Sequence, residues 1–336
     1  HSRTSYTKDF PKRGDFLKDT ESAYAVAYMK TLENKMLTKS DFEALISAPG
    51  LSAAMKLLAD KGYGGNIDGG LTPEKLIDGE TKKIWNEAQN CLPKEAPLEI
   101  LKYRNDFHNL KTILKAFVTN SDWRSLTLSP SVVNPEDIYE AVRSADFSAL
   151  PEFLRGTAKG AYEIVTQEHD GQQTEIYIDK MTYIKMAERA GKNEFLSEWI
   201  NKCILFADLS IAARAAGKSR EFLKNALIPC RGIDPDRLVA AADGGMDSIC
   251  AFITLLGFAD GAKALEESFG SFEKWCDNKK MEFLKTAKNT FFGFEPIMAF
   301  LLGKEAEAQA VRIILSGHKN DIAPDIIRER LRDLYV

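Results

Sequence analysis

Long apolar runs are missing from this chain, and cysteine and histidine are scarce. The most apolar stretch, Ile249 to Ala259, is about half the roughly 20 residues that a membrane-spanning helix needs. No signal-peptide pattern opens the chain, and His1 and Ser2 read as the remnant of an expression tag. A cytoplasmic protein is expected, with any membrane association made through a partner. The five cysteines (Cys91, Cys203, Cys230, Cys250 and Cys276) are odd in number, widely spaced and free of any CxxC pair. That pattern suits a reducing compartment and argues against a disulfide framework and a zinc site. No cofactor is expected.

Catalytic and nucleotide-binding motifs are absent as well. There is no GxxxxGK[ST] loop, so nucleotide hydrolysis by that route is excluded, and no HExxH or GxSxG. Gly62-Tyr63-Gly64-Gly65 and Gly69-Gly70 do not fit a dinucleotide fingerprint and read as a flexible interhelical loop. His108 falls on the polar side of its helix, His169 in a polar loop, and His318 is the only other histidine beyond the tag; solvated or structural roles suit His108 and His169. Acid pairs are plentiful among 49 carboxylates, so spacing alone nominates no general acid and base. The net charge of −4 gives no support to nucleic-acid binding.

What is present is helical. Composition is 44% hydrophobic and 28% charged, as in a soluble globular protein. At 336 residues the chain is long enough for two or three domains or one elongated array. Tyr103, Phe107, Leu110, Leu114 and Phe117 recur at the spacing of one helix face. Ser40-Asp41-Phe42-Glu43 reads as a capping box. Thr72-Pro73-Glu74, Asn134-Pro135-Glu136 and Asp234-Pro235-Asp236 each place a cap, a proline at the first helical position, then an acid near the positive dipole end. Glu175 to Ile178 alternates briefly but runs into a helical pattern.

A repeat underlies these helices. Asn134-Pro135 and Asp234-Pro235 stand 100 residues apart, and Leu51-Ser52-Ala53 recurs as Phe147-Ser148-Ala149 at an offset of 96. Near the end of each unit an acid is embedded in a helix: Asp106, Asp208 and Glu307, separated by 102 and 99 residues. Three divergent helical units are expected, at 22–119, 120–226 and 227–336. On helical wheels Asp208 and Glu307 fall among apolar residues, and Asp106 at the margin of its apolar stripe. A buried carboxylate needs a cation or an N–H partner, so these acids are either interhelical ties or residues lining a central cavity.

Several segments resemble one family. Gly293-Phe294-Glu295-Pro296-Ile297, Lys304-Glu305-x-Glu307, Arg312-Ile313-Ile314-Leu315 and the tail from Ile327-Arg328 through Arg332 to Tyr335-Val336 resemble the C-subunit family of V-type and A-type ATPases, whose vacuolar counterpart is called the d subunit. Asp106-Phe107-His108-Asn109-Leu110-Lys111 resembles that family's acid-aromatic-His-Asn-Leu-Lys segment. Asp208-Leu209 with Arg214 to Lys218 resembles its looser middle counterpart. The resemblance implies an all-α funnel of three similar units about a pseudo-threefold axis, without catalytic residues. It implies a place between the rotating central stalk, whose foot enters the cavity, and the rotor ring of membrane subunits, with torque passed between them. Asp106, His108, Asn109, Lys111, Asp208, Arg214, Glu305, Glu307, Arg312, Arg328 and Arg332 are then the structural or partner-binding candidates. A generic α-helical repeat scaffold and a hydrolase with an acidic pocket are the other classes open at this stage.

Overall fold

The computed structural model describes residues 13–65, 70–92, 98–191, 193–217 and 220–336, with side chains from Ala23 onward. His1, Ser2, Gly69 and Lys218 lie outside them. In chain order the helices are α1 (Arg13–Glu33), α2 (Lys39–Ile46), α3 (Leu51–Asp60), α4 (Pro73–Cys91), α5 (Glu99–Thr119), α6 (Pro135–Ser144), α7 (Glu152–Glu163) and α8 (Gly171–Ala190). They continue as α9 (Glu194–Arg214), α10 (Arg220–Ala226), α11 (Pro235–Asp243), α12 (Met246–Leu255), α13 (Ala259–Glu267), α14 (Phe269–Lys285), α15 (Glu295–Lys319) and α16 (Pro324–Arg330). The described residues form no β-sheet, only an isolated bridge between Cys230 and Ile233. None of their helices is long and apolar enough to cross a membrane.

Helix starts follow the local chemistry of the sequence. Thr72, Asn134 and Asp234 each accept a backbone N–H from the first turn, with proline following directly. The capping box sits two residues earlier than Ser40-Glu43: Thr38 accepts the Asp41 N–H, and the Asp41 carboxylate accepts the Thr38 N–H at 2.8 Å. Thr38 is already extended there, and Asp41 serves at the third helical position as Glu would.

The helices gather into two compact units, one built from the chain up to Ala96 and from Leu284 on, the other from Pro97 to Phe283. In the first unit α15 packs on α2, α3 and α4. Their shared core holds Phe42, Leu45, Leu58 and Leu76 against Val311, Ile314 and Leu315. In the second, α5 packs on α6, α7 and α8, while α9 packs on α8, α10, α11 and α12. Phe195 of α9 stacks on Phe283 of α14 at 4.7 Å, and Phe206 meets Trp275 edge-on at 5.4 Å, the arrangement that aromatic quadrupoles favour. Gly261 permits this, since a Cβ there would lie 2.7 Å from the Trp275 ring. Each long helix bearing one of the spaced acids thus lies against short helices that follow it, or, for α15, against those near the start of the chain. This compact division follows packing and not sequence spacing, so its borders fall elsewhere than 119/120 and 226/227.

Past α16 the chain does not continue as a helix. Leu331 turns to extended backbone, Ile326 is exposed, Ile327 and Tyr335 are buried, and Leu331 and Leu334 are half-buried against the core of the first unit. After Arg330 the chain no longer presents a helix face, and its burial comes from lying on other helices. Tyr335 lies on Gly303 and Ile327 on Gly317, two bare positions of α15. A Cβ on Gly303 would come within 2.6 Å of Tyr335 Cγ. Gly303→Ala is expected to cost about 1–3 kcal/mol by overpacking, offset by up to about 1 kcal/mol of helix propensity. Limited proteolysis should then release the last residues faster. Unchanged cleavage and melting would contradict the close packing.

Candidate functional site: three buried acids and the chain segments they hold

Asp106, Asp208 and Glu307 lie at 0%, 1% and 1% exposure. Each carboxylate accepts backbone N–H groups from a segment that leads toward a short helix. Asp106 on α5 takes the Val132 N–H (3.0 and 3.1 Å) and the Val133 N–H (2.8 Å), just before the cap of α6. Asp208 on α9 takes the Ile228 N–H at 3.2 Å with both oxygens, ahead of α11. Glu307 on α15 takes the Leu37 N–H at 2.7 Å, directly before the cap of α2. The wheel set Asp106 at the edge of a stripe because it counts apolar neighbours alone; the polar backbone of residues 126–133 covers that edge.

Asparagines reinforce two of these ties. Asn109 donates to the Leu128 carbonyl at 3.0 Å and accepts its N–H at 2.7 Å. Asn201 makes the same pair with Arg231, at 3.1 and 2.7 Å. Asn105 donates to the Pro130 carbonyl at 2.8 Å, and His108 Nε2 lies 3.2 Å from the Leu126 carbonyl oxygen. The polar face of α5 therefore holds the backbone of residues 126–133, while Leu126, Leu128 and Val132 turn outward, exposed by 60%, 43% and 39%.

The third acid differs in having a direct ion pair among the bonds described. Lys304, buried one turn before Glu307, bonds to Glu307 and donates to Glu80 of α4 at 2.7 Å. Glu80 also accepts the Gly64 N–H at 3.0 Å and pairs with Lys83 at 2.5 Å. Tyr63 is buried under the Lys304 ammonium, 5.3 Å from ring centre to Nζ. Gly62 to Gly65 is consequently a docked turn and not the loose loop that glycine content suggested. Gly79 lets it approach, since a Cβ there would stand 2.3 Å from the Gly64 carbonyl oxygen.

Electrostatics separate the three acids. Burial pushes Asp106 up to about 6, against the pull of the Val133 and Val132 amides. Burial pushes Asp208 up to about 7, against the Ile228 amide and Lys180. Glu307 is also raised by burial, with Lys304 opposing. Burial acts on Glu80 in the same sense, but Lys304, Lys83 and the Gly64 amide together hold it below its ordinary range.

The remaining candidates lie nearer the surface. Lys111 pairs with Asp179 at 2.5 Å. Arg214 pairs with Glu273 and stacks 4.5 Å from the Phe269 ring centre. Arg312 donates to Gln309 at 2.9 Å, Arg328 bridges Glu43 and Asp325, and Arg332 donates to the Arg330 carbonyl. Glu305 is half-buried beside Glu80 and Lys304. Sequence reasoning missed Asn105, Asn201, Glu80, Tyr63 and Lys304 as members of these networks. Only Lys304 carried a local signal, its i,i+3 spacing to Glu307.

A family model described as ATP synthase (C/AC39) subunit matches residues 25–330 of this chain. The C subunit of the V-type sodium ATPase of Enterococcus hirae is 24% identical over 314 residues, covering 90% of this chain and 95% of that protein. The C subunit of the A-type ATP synthase of Methanocaldococcus jannaschii is 24% identical, over 93% of this chain and 86% of its own length. That of Thermococcus kodakarensis is 23% identical, over 93% and 90%.

Proposed function

We propose that this chain, which belongs to the ATP synthase (C/AC39) subunit family, is the non-catalytic connector of a rotary ATPase, joining the central stalk to the membrane rotor ring and transmitting torque. The observation that carries the reading is the recurrent tie between each acid-bearing long helix and the segment entering a short helix. In the proposed arrangement the three repeat units, 22–119, 120–226 and 227–336, stand about a pseudo-threefold axis as a funnel. Glu307 holding Leu37 would close the ring of ties by joining the last unit to the first. A connector under load needs stiffness, and close-packed helices tied at their connections resist deformation. Ties to backbone amides also fix the entry of each short helix whatever side chains the held segment carries.

On this reading the chain reaches the membrane through its complex, with stalk and ring subunits as partners. Isolation of the chain from native membranes under mild detergent tests it. Stalk and ring subunits should co-purify in fixed proportion. Recovery of the chain alone, or with proteins unrelated to the ATPase, would overturn the assignment and favour a generic helical scaffold.

A further inference from the structure

Along α5, residues 104, 108 and 111 share one strip of the helix surface, and residues 105, 109 and 112 the next, at 100° per residue. His108 sits at the seam between them. The second strip holds the backbone of residues 126–133 and so fixes Leu126 and Leu128 outward. The first strip faces a cavity of about 460 Å³ among α5, α8, α9 and the exit of α10. Its apolar lining includes Ile176, Ile211 and Phe222, and around these stand Arg104, Lys111 and Lys180 against a single lining carboxylate, Asp179. Lys111 is held by Asp179 at 2.5 Å, and Lys180 donates to the Asn225 carbonyl at 3.3 Å. Lys111 and Lys180 are thus positioned by the fold. The Lys180 charge also acts on Asp208, whose carboxylate holds the Ile228 N–H.

A loop fastened through its backbone, presenting leucines to water beside an apolar, positively bordered cavity, has the anatomy of a recognition surface. We propose that Leu126, Leu128 and this cavity form one docking surface for an amphipathic helix of a partner subunit, its apolar stripe flanked by acids. Charge complementarity selects the occupant: three cations face one carboxylate in the cavity, on a chain whose net charge is −4. Apolar anchors repeating at helical spacing suit a concave site of this size. A flat lipid surface is the poorer match, because the cations surround a recess. The proposal rests on the reading of the chain as a stalk connector, which supplies the partner class.

The test measures binding of the full chain to the purified stalk subunits of the same ATPase, at low and high salt. Leu126→Ser with Leu128→Ser should weaken binding by about tenfold or more. Lys180→Glu should weaken it by about tenfold at low salt and flatten its salt dependence. Lys180→Met, which introduces no charge, serves in its place if Lys180→Glu melts early. Wild-type affinity in both the leucine and lysine variants would overturn the docking surface while leaving the connector role intact. Failure of the wild-type chain to bind any stalk subunit would instead refute the connector reading. Variant-sensitive binding of inorganic phosphate or phosphatidylserine vesicles, with stalk binding unchanged, would also overturn the proposal and reassign the cavity to a small anion or a membrane.

Discussion

Lys304→Met is expected to destabilise the unit containing α15 by about 3–5 kcal/mol, the usual cost of stranding a buried ion-pair partner. Lys304 is 7% exposed and lies between Glu80 at 5% and Glu307 at 1%. Without the ammonium, Glu80 keeps Lys83 and the Gly64 N–H, but Glu307 keeps only the Leu37 N–H among the bonds described. Two carboxylates would then face one another across an apolar gap. Adding Glu307→Gln should recover a large part of the loss, because a neutral amide still accepts from Leu37 and carries no charge to desolvate. Chemical denaturation of the single and double variants checks this. Equal stability of Lys304→Met and wild type would show that the buried pair contributes nothing.

Asp106 and Asp208 should make the protein more stable as pH falls from about 8 toward 5, opposite to ordinary acid weakening. Their folded values, about 6 and about 7, lie above the ordinary 3.8. Near pH 8 both are ionised in folded and unfolded chains, and the folded state bears the cost of buried charge. As pH drops through 7 and 6 the folded chain takes up protons that the unfolded chain does not, so stability rises. The gain ends near 3.8, where the unfolded carboxylates protonate too. At roughly 1.4 kcal/mol per pKa unit, the full effects are about 3 kcal/mol for Asp106 and about 4 kcal/mol for Asp208 at most. Glu307 is shifted in the same direction; Glu80 and Asp41 are lowered, so their opposing losses fall below about pH 4.5. Asp106→Asn and Asp208→Asn should each flatten the rise while holding their amides. Asp208→Ala should differ, since it leaves the Ile228 N–H unpaired at about 1–3 kcal/mol. Melting curves between pH 5 and 8 test both, and a flat or falling wild-type profile toward acid would contradict the burial of these charges.

Much of the helical layout was legible because it is local. Thr72, Asn134 and Asp234 cap helices through bonds spanning two or three residues, and such bonds leave their mark in adjacent letters of the sequence. The spacing of the acids was legible too, but their chemistry was not. That Asp106 would meet amides 26 and 27 residues away, and Glu307 one 270 residues away, depends on which helices pack together. A wheel drawn for one helix contains no such information. Asn109 stood out through the family resemblance alone for the same reason: its partner is backbone, which carries no sequence signal. The Gly62 to Gly65 turn was misread because glycine marks freedom of the unfolded chain, whereas Tyr63 and the Glu80 carboxylate decide where the turn rests. In the tail, nothing in the sequence marked Gly303 of α15 as the seat of Tyr335, because that contact too depends on how distant segments pack.

The recurring tie has a mechanical meaning under the proposed role. A connector loaded in torsion fails first where chain enters or leaves a helix, since those backbone groups lack helical partners. Carboxylates at these entries brace the points that helix packing alone leaves weak. Placing charge there lowers intrinsic stability, and the connector accepts that cost for a fixed geometry.

Ion pumping by the reconstituted complex is the most direct measure of that role. Membrane rings with their stalk and catalytic head should be assembled with and without this chain in sealed vesicles, following ATP hydrolysis and ion uptake together. The account predicts that omission leaves hydrolysis by the head but abolishes ATP-driven uptake, and that adding the chain back restores it. Uptake at the full rate without the chain would contradict its role as the connector.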